Sequence, residues 1–114
     1  MSKAKSAIES QLKMLKRALE FMNRVRGRIR VLEVYVVGSR ARGDYRDDSD
    51  IDLVIISNDV EELNQLRRRE LLIDLLEPGF EFFIYTEREW NEPPTTWIRQ
   101  LRRLEDLLIE YGIY

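Results

Sequence analysis

The sequence predicts one α+β domain in two layers, a small mixed β-sheet flanked by helices. Three observations carry that expectation. Helix-period apolar stretches alternate with short β-branched runs, the pattern of a sheet covered by helices. Glycine and proline punctuate the boundaries, at Gly38 and at Pro78-Gly79. The 114 residues suffice for a single hydrophobic core but not for a second, substrate-recognition domain, so residues 1–114 read as one domain.

Ile8, Leu12, Leu15, Leu19 and Met22 recur at spacings of four and three, which predicts an amphipathic helix from about Lys3 to Arg26 ended by Gly27. The stripe is expected to pack on the core. A dimer seam, and with it a homo-oligomer, is the alternative, although about three heptad-like repeats are few for a coiled coil. Val31 to Val37 is a β-branched run that reads as a strand ending at Gly38. A loop or short helix fills Ser39 to Ser49, and Ile51 to Ser57 forms a second strand with Asp50 and Asp52 at its start.

Asn58 and Asp59 offer N-cap side chains for a helix that holds Leu63, Leu66, Leu71, Ile73, Leu75 and Leu76 and stops at Pro78-Gly79. Phe80 to Tyr85 is a third strand. Thr86 with Glu89 matches a capping box for a helical turn carrying Trp90. Pro93-Pro94 breaks that turn, and a last helix runs from about Thr96 to Tyr111.

Composition narrows the chemistry. The chain has no cysteine and no histidine, which removes disulfides, thiolate sites, the commonest zinc ligand and the commonest general base. Catalysis must then run on carboxylates, and a bound metal would see oxygen ligands only, favouring Mg²⁺ or Mn²⁺. No apolar run approaches about 18 residues and the N-terminus lacks a signal-type hydrophobic region, so membrane insertion and secretion are unsupported and a cytoplasmic location is expected. A net charge of −2 gives no general drive toward nucleic acid, although Arg24, Arg26, Arg28 and Arg30 cluster locally, as do Arg40, Arg42 and Arg46.

The chemically specific stretch is GSRARGDYRDDSDIDLVII, residues 38 to 56. Asp50 and Asp52 stand at i and i+2 of a strand, on one face and roughly 7 Å apart along the backbone, so both carboxylates can close on a shared cation. Arg40 and Arg42 can act as charge-assisted donors to phosphates or pair with Asp44, Asp47 and Asp48. Glu81 is the only acid in the apolar segment Phe80 to Tyr85, which favours an internal role over a solvated one. The Walker pattern of a P-loop is absent. The aromatic residues, Tyr35, Phe80, Phe82, Phe83, Trp90 and Trp97, fit core or interface better than base-stacking platforms.

With Gly38, Ser39, Arg40, Ala41, Arg42 and Gly43 followed by Ser49, Asp50, Ile51, Asp52 and Leu53, the chain resembles the minimal nucleotidyltransferases of the DNA polymerase β superfamily. The resemblance implies the palm-like nucleotidyltransferase fold and transfer of a nucleoside monophosphate from a nucleoside triphosphate, ATP by family habit, to an acceptor, with release of pyrophosphate. It implies that Asp50 and Asp52 hold one or two Mg²⁺ ions and that Gly38, Ser39, Arg40 and Arg42 face the triphosphate. The family's third carboxylate, an aspartate that serves as base or metal ligand, corresponds here to Glu81. Its extra methylene matters, because a misplacement of about 1 Å can cost on the order of 10²-fold in rate.

Small stand-alone members of that family are commonly the antitoxin half of two-gene toxin–antitoxin modules and modify a tyrosine of a HEPN-domain partner with AMP. The resemblance therefore implies a protein acceptor and a HEPN-type partner. The alternative, from a different class, is a binding module that keeps the fold and neutralises or regulates a partner by contact, and Glu81 in place of aspartate keeps it open.

Overall fold

The computed structural model describes residues 4–91 and 101–114. Helix α1 spans Lys5–Val25, strand β1 Glu33–Val37, the one-turn helix α2 Ser39–Arg42 and strand β2 Ile51–Ile56. A 3-10 turn at Asn58–Val60 leads to helix α3, Gln65–Leu72, and a second 3-10 turn, Ile73–Leu75. Strand β3, Phe80–Tyr85, helix α4, Glu87–Trp90, strand β4, Leu101–Arg103, and helix α5, Leu104–Glu110, complete the order. The sheet runs β3-β2-β1-β4, with β2 and β3 parallel and β1 antiparallel to both β2 and β4.

The main core lies on one face of this sheet. Val34 and Val36, Ile51, Leu53 and Ile55, and Phe80, Phe82 and Ile84 meet Leu15, Ala18, Phe21, Met22 and Val25 of α1 and Leu104, Leu107 and Leu108 of α5. On the opposite face a smaller cluster gathers Val37, Val54 and Ile56 with Tyr35, Tyr85, Trp90 and Leu101. Strand β2 is central and apolar on both faces, which is why Ile51 to Ile56 reads as an almost unbroken hydrophobic run. Asp52 is the one interruption. Among the described residues no helix is long and apolar enough to cross a membrane.

Four expectations are corrected. The buried face of α1 is Ala7, Gln11, Met14, Leu15, Ala18, Phe21, Met22 and Val25, rotated from the aliphatic stripe, with Ile8 left 40 % exposed. Small alanines let α1 approach the sheet, and Gln11 is buried because its side chain has hydrogen-bonding partners inside. Gly27 takes no left-handed conformation; the turn after α1 closes through its N–H on the Arg24 carbonyl, 3.1 Å. The helix before β3 starts late. Ser57, not Asn58, caps the first 3-10 turn, and Asn64 caps α3 by accepting from the Arg67 N–H at 2.9 Å. Lastly, residues 101–103, expected inside the final helix, pair with β1 as a fourth strand; the predicted stretch Thr96 to Gln100, with Pro93-Pro94 and Trp97, lies outside the described residues.

The strand β3 and the turn after it form as read. Thr86 accepts from the Glu89 N–H at 3.2 Å while the Thr86 N–H donates to Glu89 Oε1 at 2.8 Å, a reciprocal capping box. Glu89 also receives both Nη atoms of buried Arg68, at 2.6 and 3.1 Å. Arg68 then donates to the Leu63 carbonyl at 2.8 Å and the Ile84 carbonyl at 3.0 Å. One guanidinium thus ties α3, β3 and α4 together.

Arg68 holds the Glu89 carboxyl at about 2, below its ordinary value of 4.5. A depressed carboxylate stabilises the fold above its unfolded pKa and loses that contribution as pH falls through the folded value. Stability is therefore expected to decline between about pH 4.5 and 2, and Glu89→Gln should flatten that slope while lowering stability at neutral pH. Thermal unfolding of both proteins across this range checks it.

Candidate active site

Strand β1 ends at Gly38, whose φ of 75° and ψ of −151° lie in a region essentially reserved for glycine. The need is steric as well. A Cβ on Gly38 would stand 3.1 Å from Asp52 Oδ2. In the sheet register Val37 faces Asp52 and Asp52 faces Glu81, so the Gly-Ser turn, Asp52 and Glu81 form a row across three strands spaced about 4.8 Å apart. Alternation along β2 puts Asp52 on the same face as Val54 and Ile56, away from the main core. Asp50, two residues earlier, is exposed just ahead of the strand.

The electrostatics follow from this grouping. Half-buried Asp52 has its carboxyl pushed up, first by burial and then by the negative charges of Asp50 and Glu81. Glu81 moves the other way. Its Oε1 is ion-paired with Arg69 of α3 and accepts the Phe82 N–H at 3.1 Å, and the Arg69 hydrogen bond is the main cause holding it below the ordinary carboxylate range. Arg69 in turn lies over the Phe82 ring, 5.5 Å from its centroid. A cavity of about 220 Å³ opens beside it, lined by Gln65, Leu66, Arg68, Phe82, Phe83 and Ile84.

The two arginines expected to face phosphate are both engaged. Arg42, at the C-terminal end of α2, donates through Nε to both carboxylate oxygens of Asp44 at 3.2 Å and remains 40 % exposed. Arg40 is 1 % exposed and points inward. Its Nε and Nη2 both donate to the Ser49 carbonyl, at 3.1 and 2.6 Å, its Nη1 to Gln11 Oε1 at 3.1 Å and its Nη2 to Ser10 Oγ at 2.9 Å. Against the expectation of a phosphate contact, the hydrogen bonds of this guanidinium run to Ser10, Gln11 and Ser49 and none to the row of carboxylates.

Of the residues singled out by sequence, Gly38, Ser39, Asp50, Asp52 and Glu81 share one end of the sheet. Arg69, Gln11 and Ser10 were missed. The run Arg67-Arg68-Arg69 carried the signal for the first, since one of three consecutive basic residues on a helix must face the sheet. A glutamine in an apolar helix stripe signalled the second. Of the basic cluster near the end of α1, Arg28 is paired with Asp74 at 2.5 and 2.6 Å.

The donor set suits a hard divalent cation, because every candidate ligand is a carboxylate or carbonyl oxygen. Among the described residues no three acidic side chains are gathered closely enough to cage an ion, and Glu81 is paired with Arg69. Mg²⁺ needs no such cage; it is normally held by one or two carboxylates together with substrate phosphates. Asp50 and Asp52, two residues apart at the start of β2, are the candidate carboxylates for such a site.

Comparisons with known proteins place the chain's family and fold. Residues 12–110 match the family model of the nucleotidyltransferase domain. The crystal structure of a "putative nucleotidyltransferase" from Sulfolobus solfataricus is 36 % identical, with a TM-score of 0.78 over 90 % of this chain and 89 % of that one. No curated protein matches. The mixed two-layer fold read from the sequence is thus that of its structural neighbour.

Two outcomes are expected. Gly38→Ala should cost about 1–3 kcal/mol for the forbidden backbone region and displace the Asp52 carboxylate, measurable by urea unfolding and by the Asp52 carboxyl shift in NMR. Arg69→Gln should return the Glu81 carboxyl toward its ordinary range, followed by the same NMR titration; an unchanged Glu81 would mean that Arg69 does not govern it.

Proposed function

The chain belongs to the nucleotidyltransferase-domain family, and from that premise we propose a Mg²⁺-dependent transfer of a nucleoside monophosphate, AMP from ATP, to an acceptor hydroxyl on a partner protein. The observation that carries this reading is the row of Gly38, Asp52 and Glu81 in register across three strands. The acceptor oxygen attacks the α-phosphorus, the bond from that phosphorus to the bridging oxygen breaks, and pyrophosphate leaves. When bound, Mg²⁺ or Mn²⁺ offsets the charge that builds on the phosphate oxygens.

The chain's own groups do the rest. Asp50 and Asp52 hold the cation, and Asp52, already destabilised as an anion by its neighbours, gains most from it. Glycine at position 38 keeps the space in front of Asp52 clear of a side chain. Ser39, opening α2 beside it, presents its hydroxyl to the β- and γ-phosphates, and Arg42, exposed at the rim, exchanges Asp44 for a phosphate oxygen. Glu81 takes the acceptor proton, with Arg69 fixing the direction of its carboxylate.

By the family resemblance, the partner is a HEPN-type toxin and the chain its antitoxin. One observation favours the second reading, a module that neutralises its partner by contact: Arg69 occupies the third carboxylate, which weakens it as a base. The two readings separate in one assay. With labelled ATP, Mg²⁺ and the co-purifying partner, label should move to the partner, and Asp52→Asn should reduce transfer by more than the roughly 10- to 100-fold typical of outer-shell metal partners. No transfer, with partner binding unaffected by Asp52→Asn, would leave the contact reading.

A further inference from the structure

We propose that Arg40 is a positioning residue for Asp50, holding the loop before β2 so that the two aspartates converge; the inference rests on the metal-dependent reading above. Residues 43–50 leave α2 and return to the sheet without regular structure, yet their path is pinned at three points. Tyr45, 4 % exposed, meets the hydroxyl of Tyr111 at 3.1 Å. The Asp47 carbonyl accepts from Ser10 Oγ at 2.6 Å. The Ser49 carbonyl, on the residue directly before Asp50, takes two N–H groups of Arg40.

The chemistry of the third pin is unusual. Arg40 is a buried cation whose hydrogen-bond acceptors are neutral: a carbonyl, an amide oxygen and a hydroxyl. A group placed only for stability would be cheaper as an apolar side chain. Here the planar guanidinium fork grips one carbonyl with two donors, which an ammonium cannot reproduce. Gln11, fully buried, locks the fork from α1 by accepting from Nη1 and donating to the Arg40 carbonyl at 3.1 Å. The Tyr45 ring closes over it, its centroid 4.9 Å from Cζ. The peptide that carries Asp50 is therefore oriented by α1 through Arg40.

Mn²⁺ binding, followed by electron paramagnetic resonance with a non-hydrolysable ATP analogue, tests this alongside thermal unfolding. Arg40→Lys keeps the charge and loses the fork; its Mn²⁺ affinity should fall roughly 10- to 100-fold while cooperative unfolding persists. Ser10→Ala and Gln11→Met, which loosen the clamp and leave Arg40 in place, should each weaken binding several-fold in the same direction and serve where Arg40→Lys fails to fold. A purely structural Arg40 would lower the melting temperature and leave the Mn²⁺ affinity of all three folded variants unchanged, which overturns the inference. Absence of Mn²⁺ binding in the unsubstituted protein removes the functional reading, and this inference with it.

Discussion

Crowded negative charge is the constraint around which this protein is arranged. Asp52 and Glu81 are direct neighbours on parallel strands, and Asp50 adds a third carboxylate two residues away. Like charges placed opposite each other destabilise a sheet, and desolvation of Asp52 adds to the cost. Arginines brought from the helical layer answer it: Arg69 neutralises Glu81 from α3, and Arg40 stands behind the loop that bears Asp50. The sheet positions around the row are held by apolar side chains on both faces, Val54 and Ile56 on one and Ile51, Leu53 and Ile55 on the other, and the positive charges come from helix α3 and the one-turn helix α2.

Strand β2 shows how fold and chemistry share one segment. Its core-facing side, Ile51, Leu53 and Ile55, is fixed by α1, and its other side, Val54 and Ile56, by the aromatic cluster with Tyr35 and Trp90. A slip of one residue would bury Asp52 in the main core, so hydrophobic pairing locks the register that aligns Asp52 with Val37 and Glu81. The placement of the acidic row is thus paid for by burial elsewhere along the same strand.

Local signals were legible where one short segment contained the whole physical cause. The strand Phe80–Tyr85, the Thr86–Glu89 capping box and the strand that begins beside Asp50 and Asp52 appear in the structure as the residues spelled them. What escaped depends on distant partners. Strand β4 exists because β1 offers an edge some 65 residues earlier in the chain, and no periodicity within Leu101–Arg103 announces it. The rotation of α1 follows from Gln11, a polar residue drawn inside by Arg40, which a count of aliphatic side chains cannot foresee. Arg40 itself lies in the recognisable motif, yet whether it faces phosphate or interior is decided by α1.

The outer rim of β3 carries a consequence for how copies of the protein meet. Arg68 takes the Ile84 carbonyl, and the Glu81 side chain takes the Phe82 N–H. A foreign strand approaching that side would find these two ladder groups already engaged, which makes this stretch of the edge a poorer template for pairing. The same carboxylate that belongs to the acidic row thereby also occupies one donor of an exposed sheet edge.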